Sequence, residues 1–276
     1  ERRWILPRLV KINNSKNRLL EHISYSALKV WNECPHKHKL IYIDRNKRFV
    51  GNLHTAFGKA VHDACELVLR GASDIEDKFA SCFEKELMAL DKDVFHELDQ
   101  ETVTEFEQQG KEILPLIMGS LKDYFGDFTL SRTEEDLFER ITEYEDYDRR
   151  FKGYIDLVLN TPDGKTHIID WKTCSWGWKQ ERKNEAITTY QLTLYKHFYA
   201  RKHNIDPDTI ETHFALLKRT ANKNKVELFR VSSGNKKTNN ALTLLDKALY
   251  NIDSGNYLKN KLSCNYCEFR KTEDCP

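Results

Sequence analysis

The spacing of hydrophobic and polar positions along the chain switches from helical to extended and back. From Ser24 onward, Ala27, Leu28, Val30 and Trp31 fall on one helical face. Ser24-Tyr25-Ser26 supplies an N-cap, and the helix is expected to end near Cys34-Pro35. A short apolar run, Leu40-Ile41-Tyr42-Ile43, follows. Residues 55–70 read as a helix through Ala56, Ala60, Val61, Ala64, Leu67 and Val68, with Gly71 as its stop. Helical spacing continues over 74–126 through Phe79, Phe83, Leu87, Phe106, Ile113, Leu121 and Phe125. This predicts an inserted helical block over about 74–136. The period then shortens. Leu137–Tyr144, Gly153–Asn160 and Thr166–Thr173 read as strands, the last two joined by the turn Thr161-Pro162-Asp163-Gly164. A helix over 183–203, strands at Thr212–Arg219 and Lys225–Val231, and a helix over Thr238–Asp253 complete the pattern. Residues 1–23 show no period and are read as an arm. The rest, 24–276, reads as one α/β domain, a central mixed sheet flanked by helices.

Composition narrows the class. With 276 residues, 39% hydrophobic and 32% charged, the chain can bury a core without disulfide staples. No window approaches the roughly 18 apolar residues of a membrane span. The first residues, Glu1-Arg2-Arg3-Trp4, lack the apolar stretch of a secretory signal. An intracellular protein with no membrane partner is the expectation. Seven cysteines in such a setting argue for thiols or metal ligands. A net charge of +1 excludes a global field that draws the chain to a polyanion, so any such surface must be a local patch. Basic candidates are His36, Lys37, His38 and Lys39, then Lys218, Arg219, Lys223 and Lys225. Glu134, Glu135, Asp136, Glu139, Glu143, Glu145 and Asp146 are candidate acidic surface.

The predicted hairpin carries the first candidate chemistry. Side chains alternate along a strand, so in Ile168-Ile169-Asp170-Trp171-Lys172 the Asp170 and Lys172 side chains share a face and Trp171 takes the other. Gly153-Tyr154-Ile155-Asp156 on the neighbouring strand lets Asp156 converge on Asp170. Two convergent carboxylates suit Mg²⁺, a hard cation that prefers oxygen. Lys172 could then position a water or stabilise charge on a phosphorus centre. His62 can complete such a site and shares a helix face with Glu66. Gln191 and Tyr195, also one turn apart, can hydrogen-bond phosphate or hold Lys172. Gly164-Lys165-Thr166 looks like the end of a phosphate-binding loop, but Leu159 stands where the earlier glycine is required.

The second constellation is Cys264-Asn265-Tyr266-Cys267 with Cys275-Pro276, a C-x₂-C-x₇-C tail over about 262–276, and Cys34-Pro35 far upstream. Four such thiolates could hold zinc or an iron–sulfur cluster, and either would join the two ends of the chain. Cys65, Cys82 and Cys174 fall within predicted helices or at a strand end and fit this role less well.

In order, Ser26…Cys34-Pro35, G-x₃-H, G-x-I-D, D-x-K, Q-x₃-Y and C-x₂-C-x₇-C resemble the RecB-like PD-(D/E)XK nucleases with an iron–sulfur staple. That group includes the AddB nuclease domain and the CRISPR-associated adaptation exonucleases. The resemblance runs from about residue 24 to the end and implies a PD-(D/E)XK core. It implies that His62, Asp156, Asp170 and the Trp171 carbonyl bind catalytic Mg²⁺ or Mn²⁺. Lys172 would be the catalytic lysine, and Gln191 and Tyr195 the helix motif of the branch. Cys34, Cys264, Cys267 and Cys275 would hold a [4Fe–4S] cluster, with Zn²⁺ as the alternative because the last cysteine spacing is long. The implied activity is hydrolysis of DNA, by an exonuclease on single-stranded or end-containing DNA in recombination, repair or phage replication. Alternatives are a flap or junction endonuclease, or a non-catalytic DNA-binding scaffold. A helicase or recombination partner would supply any motor, in the cytoplasm or at the nucleoid.

Overall fold

A polar edge strand, a splayed central pair and two helical layers place the candidate site. The structure, a computed structural model, describes residues 21–46, 48–141 and 149–276. Most of the predicted arm therefore lies outside the described residues. Its end does not: His22–Ser24 forms a short strand, β1. Helix α1, Tyr25–Glu33, starts where Ser24 Oγ accepts the Ala27 amide. Then come α2, Pro35–His38, and a π-helical turn over the apolar run, Lys39–Ile43. Helix α3, Leu53–Leu69, opens on a capping box. Asn52 Oδ1 accepts from the Thr55 amide at 3.1 Å, and Thr55 Oγ1 accepts from the Asn52 amide at 2.8 Å. The helical block is α4, Ile75–Met88; α5, Lys92–His96; α6, Gln100–Ile113; and α7, Ile117–Phe125. It ends earlier than the 74–136 span suggested.

Strand β2 runs Thr129–Arg140, starting eight residues before the expected Leu137; the expected end at 142–144 lies outside the described residues. It is the outer partner of β3, Arg150–Asn160, and most of its early residues face solvent. A polar, two-sided edge carries no apolar alternation, which is why its start is silent in the sequence. Strand β4, Thr166–Cys174, returns through the expected turn, with Gly164 at φ +81°. Helix α8, Gln180–Asn184, and α9, Ala186–His203, replace one predicted helix, because Glu185 takes an extended conformation between them. Strands β5, Ile210–Lys218, and β6, Val226–Val231, and α10, Asn235–Asp253, complete the core.

The sheet is mixed. β3 pairs antiparallel with β2 and β4, β5 with β6 antiparallel, and β4 with β5 and β1 with β3 parallel. One face packs on α1, α9 and α10 through Leu28, Phe198, Phe214 and Leu245. The other packs on α3, α4, α6 and α7 through Phe57, Phe79, Phe83 and Trp171. The inner edge of β3 has a break. It pairs with β1 through Lys152 and with β4 only from Leu157 onward, so Gly153–Asp156 have no strand partner on that side. Among the described residues, no helix is long and apolar enough to cross a membrane.

Candidate functional site

The predicted residues gather at that break. Where β3 and β4 part, the Trp171 amide can no longer reach a β3 carbonyl; it donates to Asp156 Oδ2 at 2.7 Å instead. This bond fixes the Asp156 carboxylate between the strands. From one face, His62 on α3 brings Nδ1 to 3.4 Å from Asp156 Oδ1. From the other face, α9 brings Gln191, whose Nε2 donates to Asp170 Oδ1 at 2.6 Å and lies 3.2 Å from Tyr195 Oη. Alternation holds as expected: Asp170 and Lys172 face α9, and Trp171, 1% exposed, packs into the helical layer. Gly153 explains the glycine of the G-x-I-D segment. A Cβ there would sit 2.7 Å from Tyr195 Cε1, so only glycine leaves room for that ring.

Asp170 is the electrostatic centre. It is 2% exposed, and burial pushes its pKa up to about 6, with Lys172 opposing the rise and Asp156 adding to it. Lys172 Nζ stands 2.5 Å from Asp170 Oδ2, so an ion pair holds the one oxygen and Gln191 the other. A buried carboxylate beside a second carboxylate and an imidazole is a set of oxygen and nitrogen ligands that suits a divalent cation. At His62, burial works against the charged form, but the attraction and hydrogen bond of Asp156, helped by Asp170, outweigh it and raise its pKa. Burial first, then Asp170, keeps the Tyr195 phenol protonated. Tyr195 can thus donate a hydrogen bond.

The sequence missed part of the margin. Glu134, read as acidic surface, has φ +55° on β2 and lies close enough to Glu66, Asp63 and Asp156 that burial and these charges raise its pKa. Glu66, on the His62 face of α3, accepts from Thr133 Oγ1 at 3.0 Å and pairs with Arg70. Glu135 is not solvated surface either. It is buried against Lys202 at 2.7 Å and His203 at 2.8 Å. Glu143, Glu145 and Asp146 lie outside the described residues.

The proposed basic patches are largely spent on structure. Lys218 and Arg219 are buried, the first paired with Glu227 at 3.0 Å, the second 3.8 Å over the Phe106 ring and bonded to Gln109. His38 is buried, Lys37 pairs with Glu268 at 3.1 Å, Lys39 with Asp44 and Lys225 with Glu112. Exposed aromatic side chains near the break are instead Tyr154 on β3 and Trp176, in the loop after β4. The Trp176 loop is pinned by Arg219 N to Cys174 O at 2.9 Å and Thr220 N to Ser175 O at 3.1 Å.

The four predicted cysteines also border a common space. Cys34, Cys264, Cys267 and Cys275 line one cavity of about 280 Å³, whereas Cys65, Cys82 and Cys174 do not. Contacts between the two chain ends surround it: Asn260 Nδ2 and Ser263 Oγ both donate to Glu33 O at 2.8 Å, and the Asn260 amide points at Cys34 Sγ at 3.3 Å. His36, expected in a basic patch, also lines this cavity.

Among the described residues, the metal-ligating groups that all fall within 4.8 Å of one another are His167, Glu211 and His213. They belong to neither predicted set. The His62, Asp156 and Asp170 ligand atoms are spread more widely than this.

No curated protein matches the chain in sequence. Its fold is similar to a crystal structure from Eubacterium rectale whose exonuclease description is itself provisional. That match has a TM-score of 0.56 at 11% identity over 90% of this chain and 86% of the other. A second solved structure, SSO0001, aligns over 88% of this chain and 93% of its own at 14% identity, but its TM-score of 0.37 is too low to carry an argument. The first match shows a shared fold only. The profile of the PD-(D/E)XK nuclease superfamily matches residues 22–272, nearly the whole chain, and the chain belongs to that superfamily.

Proposed function

We propose that this protein is a metal-dependent deoxyribonuclease, an exonuclease on single-stranded or end-containing DNA. The observation that carries the reading is the break between β3 and β4, where His62, Asp156 and Lys172 converge on the buried Asp170 carboxylate. Asp156, Asp170, His62 and the Trp171 carbonyl would hold Mg²⁺ or Mn²⁺. When bound, the ion supplies charge neutralisation at the scissile phosphate and lowers the pKa of water. Gln191 holds Asp170 Oδ1, so that Oδ2 faces the site. Lys172, tethered by Asp170 until substrate arrives, swings its ammonium toward the phosphate and orients the attacking water. Tyr195, kept protonated, braces Gln191.

Single-stranded substrate is favoured by Trp176, 74% exposed on a pinned loop four residues past Lys172. Bases of any sequence stack on such a ring, which suits an enzyme that tracks a strand. The reading also assigns the cysteine cavity to a [4Fe–4S] cluster. Zn²⁺ is the alternative occupant of the same four thiolates. A role inside the cell in recombination, repair or phage replication, beside a partner motor, completes the proposal.

DNA labelled at the 5′ end, the 3′ end or internally, incubated with Mg²⁺, tests it. Early release of label from one end of single-stranded DNA is expected. Cuts confined to a flap or junction would identify a structure-specific endonuclease, and binding without cleavage a scaffold; either would overturn the exonuclease reading.

A further inference from the structure

At the opposite end of β4 from Lys172, and on the opposite face of the sheet from Asp170, lies a second group of ligands. The parallel register sets His167 beside Glu211 and Ile169 beside His213. Because alternate residues share a face, His167, Glu211 and His213 all point toward the end of α7. There Phe125 packs on both imidazoles, with ring centroids at 4.8 and 5.0 Å. Both histidines are buried, at 5% and 2% exposure.

We infer that His167, His213 and Glu211 form a binding site for a borderline transition-metal cation such as Zn²⁺, separate from the nuclease centre. His167 Nδ1 and His213 Nε2 face each other at 3.1 Å. Bonds of about 2.05 Å from these nitrogens to one ion would subtend roughly 98°, and an opening of about 0.3 Å would reach the tetrahedral angle. The outer nitrogens have the partners that a ligating imidazole needs. Thr161 Oγ1 lies 3.0 Å from His167 Nε2 and donates its own proton to Asp163. That hydroxyl must therefore accept from His167 Nε2–H, which leaves Nδ1 as a bare lone pair aimed inward. A carboxylate–hydroxyl–imidazole chain of this kind fixes the tautomer of a metal ligand. At His213, Tyr124 Oη lies 3.4 Å from Nδ1 and can accept or donate, so Nε2 can be freed for an ion.

Glu211 supplies the third ligand. A carboxylate oxygen of Glu211 is within 4.8 Å of a ring nitrogen of each histidine, and the carboxylate is held by Lys165 at 2.9 Å and Arg230 at 3.3 Å. These two cations balance Glu211 and Asp163 in charge, so an incoming dication meets no net positive field. Both are also partly exposed and can turn to solvent when the carboxylate shifts. Two imidazoles and one carboxylate select zinc or its neighbours over Mg²⁺, whereas the nuclease site prefers the harder ion. An ion here would tie the β3–β4 turn, β5 and α7 together. The inference does not depend on the nuclease reading.

Equilibrium dialysis of the full chain against Zn²⁺ in excess Mg²⁺ provides the test, with Co²⁺ as a spectroscopic probe. Wild type and Asp170→Asn should each hold one more Zn²⁺ per chain than His213→Gln, whose nuclease activity should be unchanged. The Co²⁺ bound at this site should show weak d–d bands without thiolate charge transfer. Glu211→Gln leaves both imidazoles in place and lies nearer solvent, so it covers the case in which His213→Gln fails to fold. It should bind Zn²⁺ at least about tenfold more weakly. Equal stoichiometry and affinity in wild type and Glu211→Gln, or Zn²⁺ held only through cysteine sulfur, would overturn the inference and leave the pair as a hydrogen-bonded core link.

Discussion

Replacing Asp170 by asparagine should abolish activity and yet make the metal-free protein more stable. Asp170 is 2% exposed and its pKa is raised from 3.8 to about 6, burial being the largest cause. A carboxyl whose pKa is raised on folding contributes stability that is fully present below its unfolded pKa. That stability is lost as pH rises through the folded pKa. Above pH 6 the folded protein therefore carries a penalty of roughly two pKa units at 1.36 kcal/mol each, or about 3 kcal/mol. Asparagine keeps the shape and the Gln191 contact but carries no charge. Its gain should be about 2–3 kcal/mol, or about 3–5 °C in Tm for a chain of this size. The assay is thermal unfolding of both proteins in Mg²⁺-free buffer from pH 4 to 8. The gap should be largest at pH 8 and close toward pH 4. Adding Mg²⁺ should raise the Tm of wild type and not of the variant. A variant less stable than wild type at pH 8, or a gap independent of pH, would refute the argument.

Lys172→Ala should lower turnover by about 10²-fold or more while DNA affinity stays within about threefold, because the ammonium acts on the reacting centre; parallel loss of binding would make it a phosphate clamp. Cys34→Ala should lose the metal centre and thermal stability together, and anaerobically prepared wild type should carry about four irons and four sulfides per chain; one zinc without sulfide would keep the staple and reject the cluster. Trp176→Ala should weaken single-stranded DNA binding by about 5- to 150-fold, the equivalent of about 1–3 kcal/mol of base stacking, with duplex binding little changed; equal loss on both would remove its stacking role.

The site was legible where local pattern and chemistry coincide. Ile168-Ile169 deliver Asp170 on a buried strand, the Thr161–Gly164 turn pairs that strand with β3, and the four-residue spacing of Gln191 and Tyr195 puts both on the face of α9 that meets Asp170. What was illegible depends on long-range register. Nothing local in His22–Ser24 says that it will pair with Arg150–Lys152, and this pairing defines one end of the gap in which Asp156 sits. Glu134 looked like surface because β2 begins in a polar edge without apolar alternation. The buried state of Lys218 and Arg219 was hidden because their partners, Glu227 for one and Gln109 and Phe106 for the other, lie on other elements. The His167–His213 pair is likewise created by the β4–β5 register across 46 residues.

The most direct test is hydrolysis of single-stranded DNA by the purified protein as Mg²⁺ is titrated, run beside Asp170→Asn. The account predicts cleavage that needs Mg²⁺, is abolished by chelation and restored by Mn²⁺, and is absent from a variant that remains folded and binds DNA. Cleavage by wild type without any divalent ion, or undiminished cleavage by folded Asp170→Asn, would contradict it.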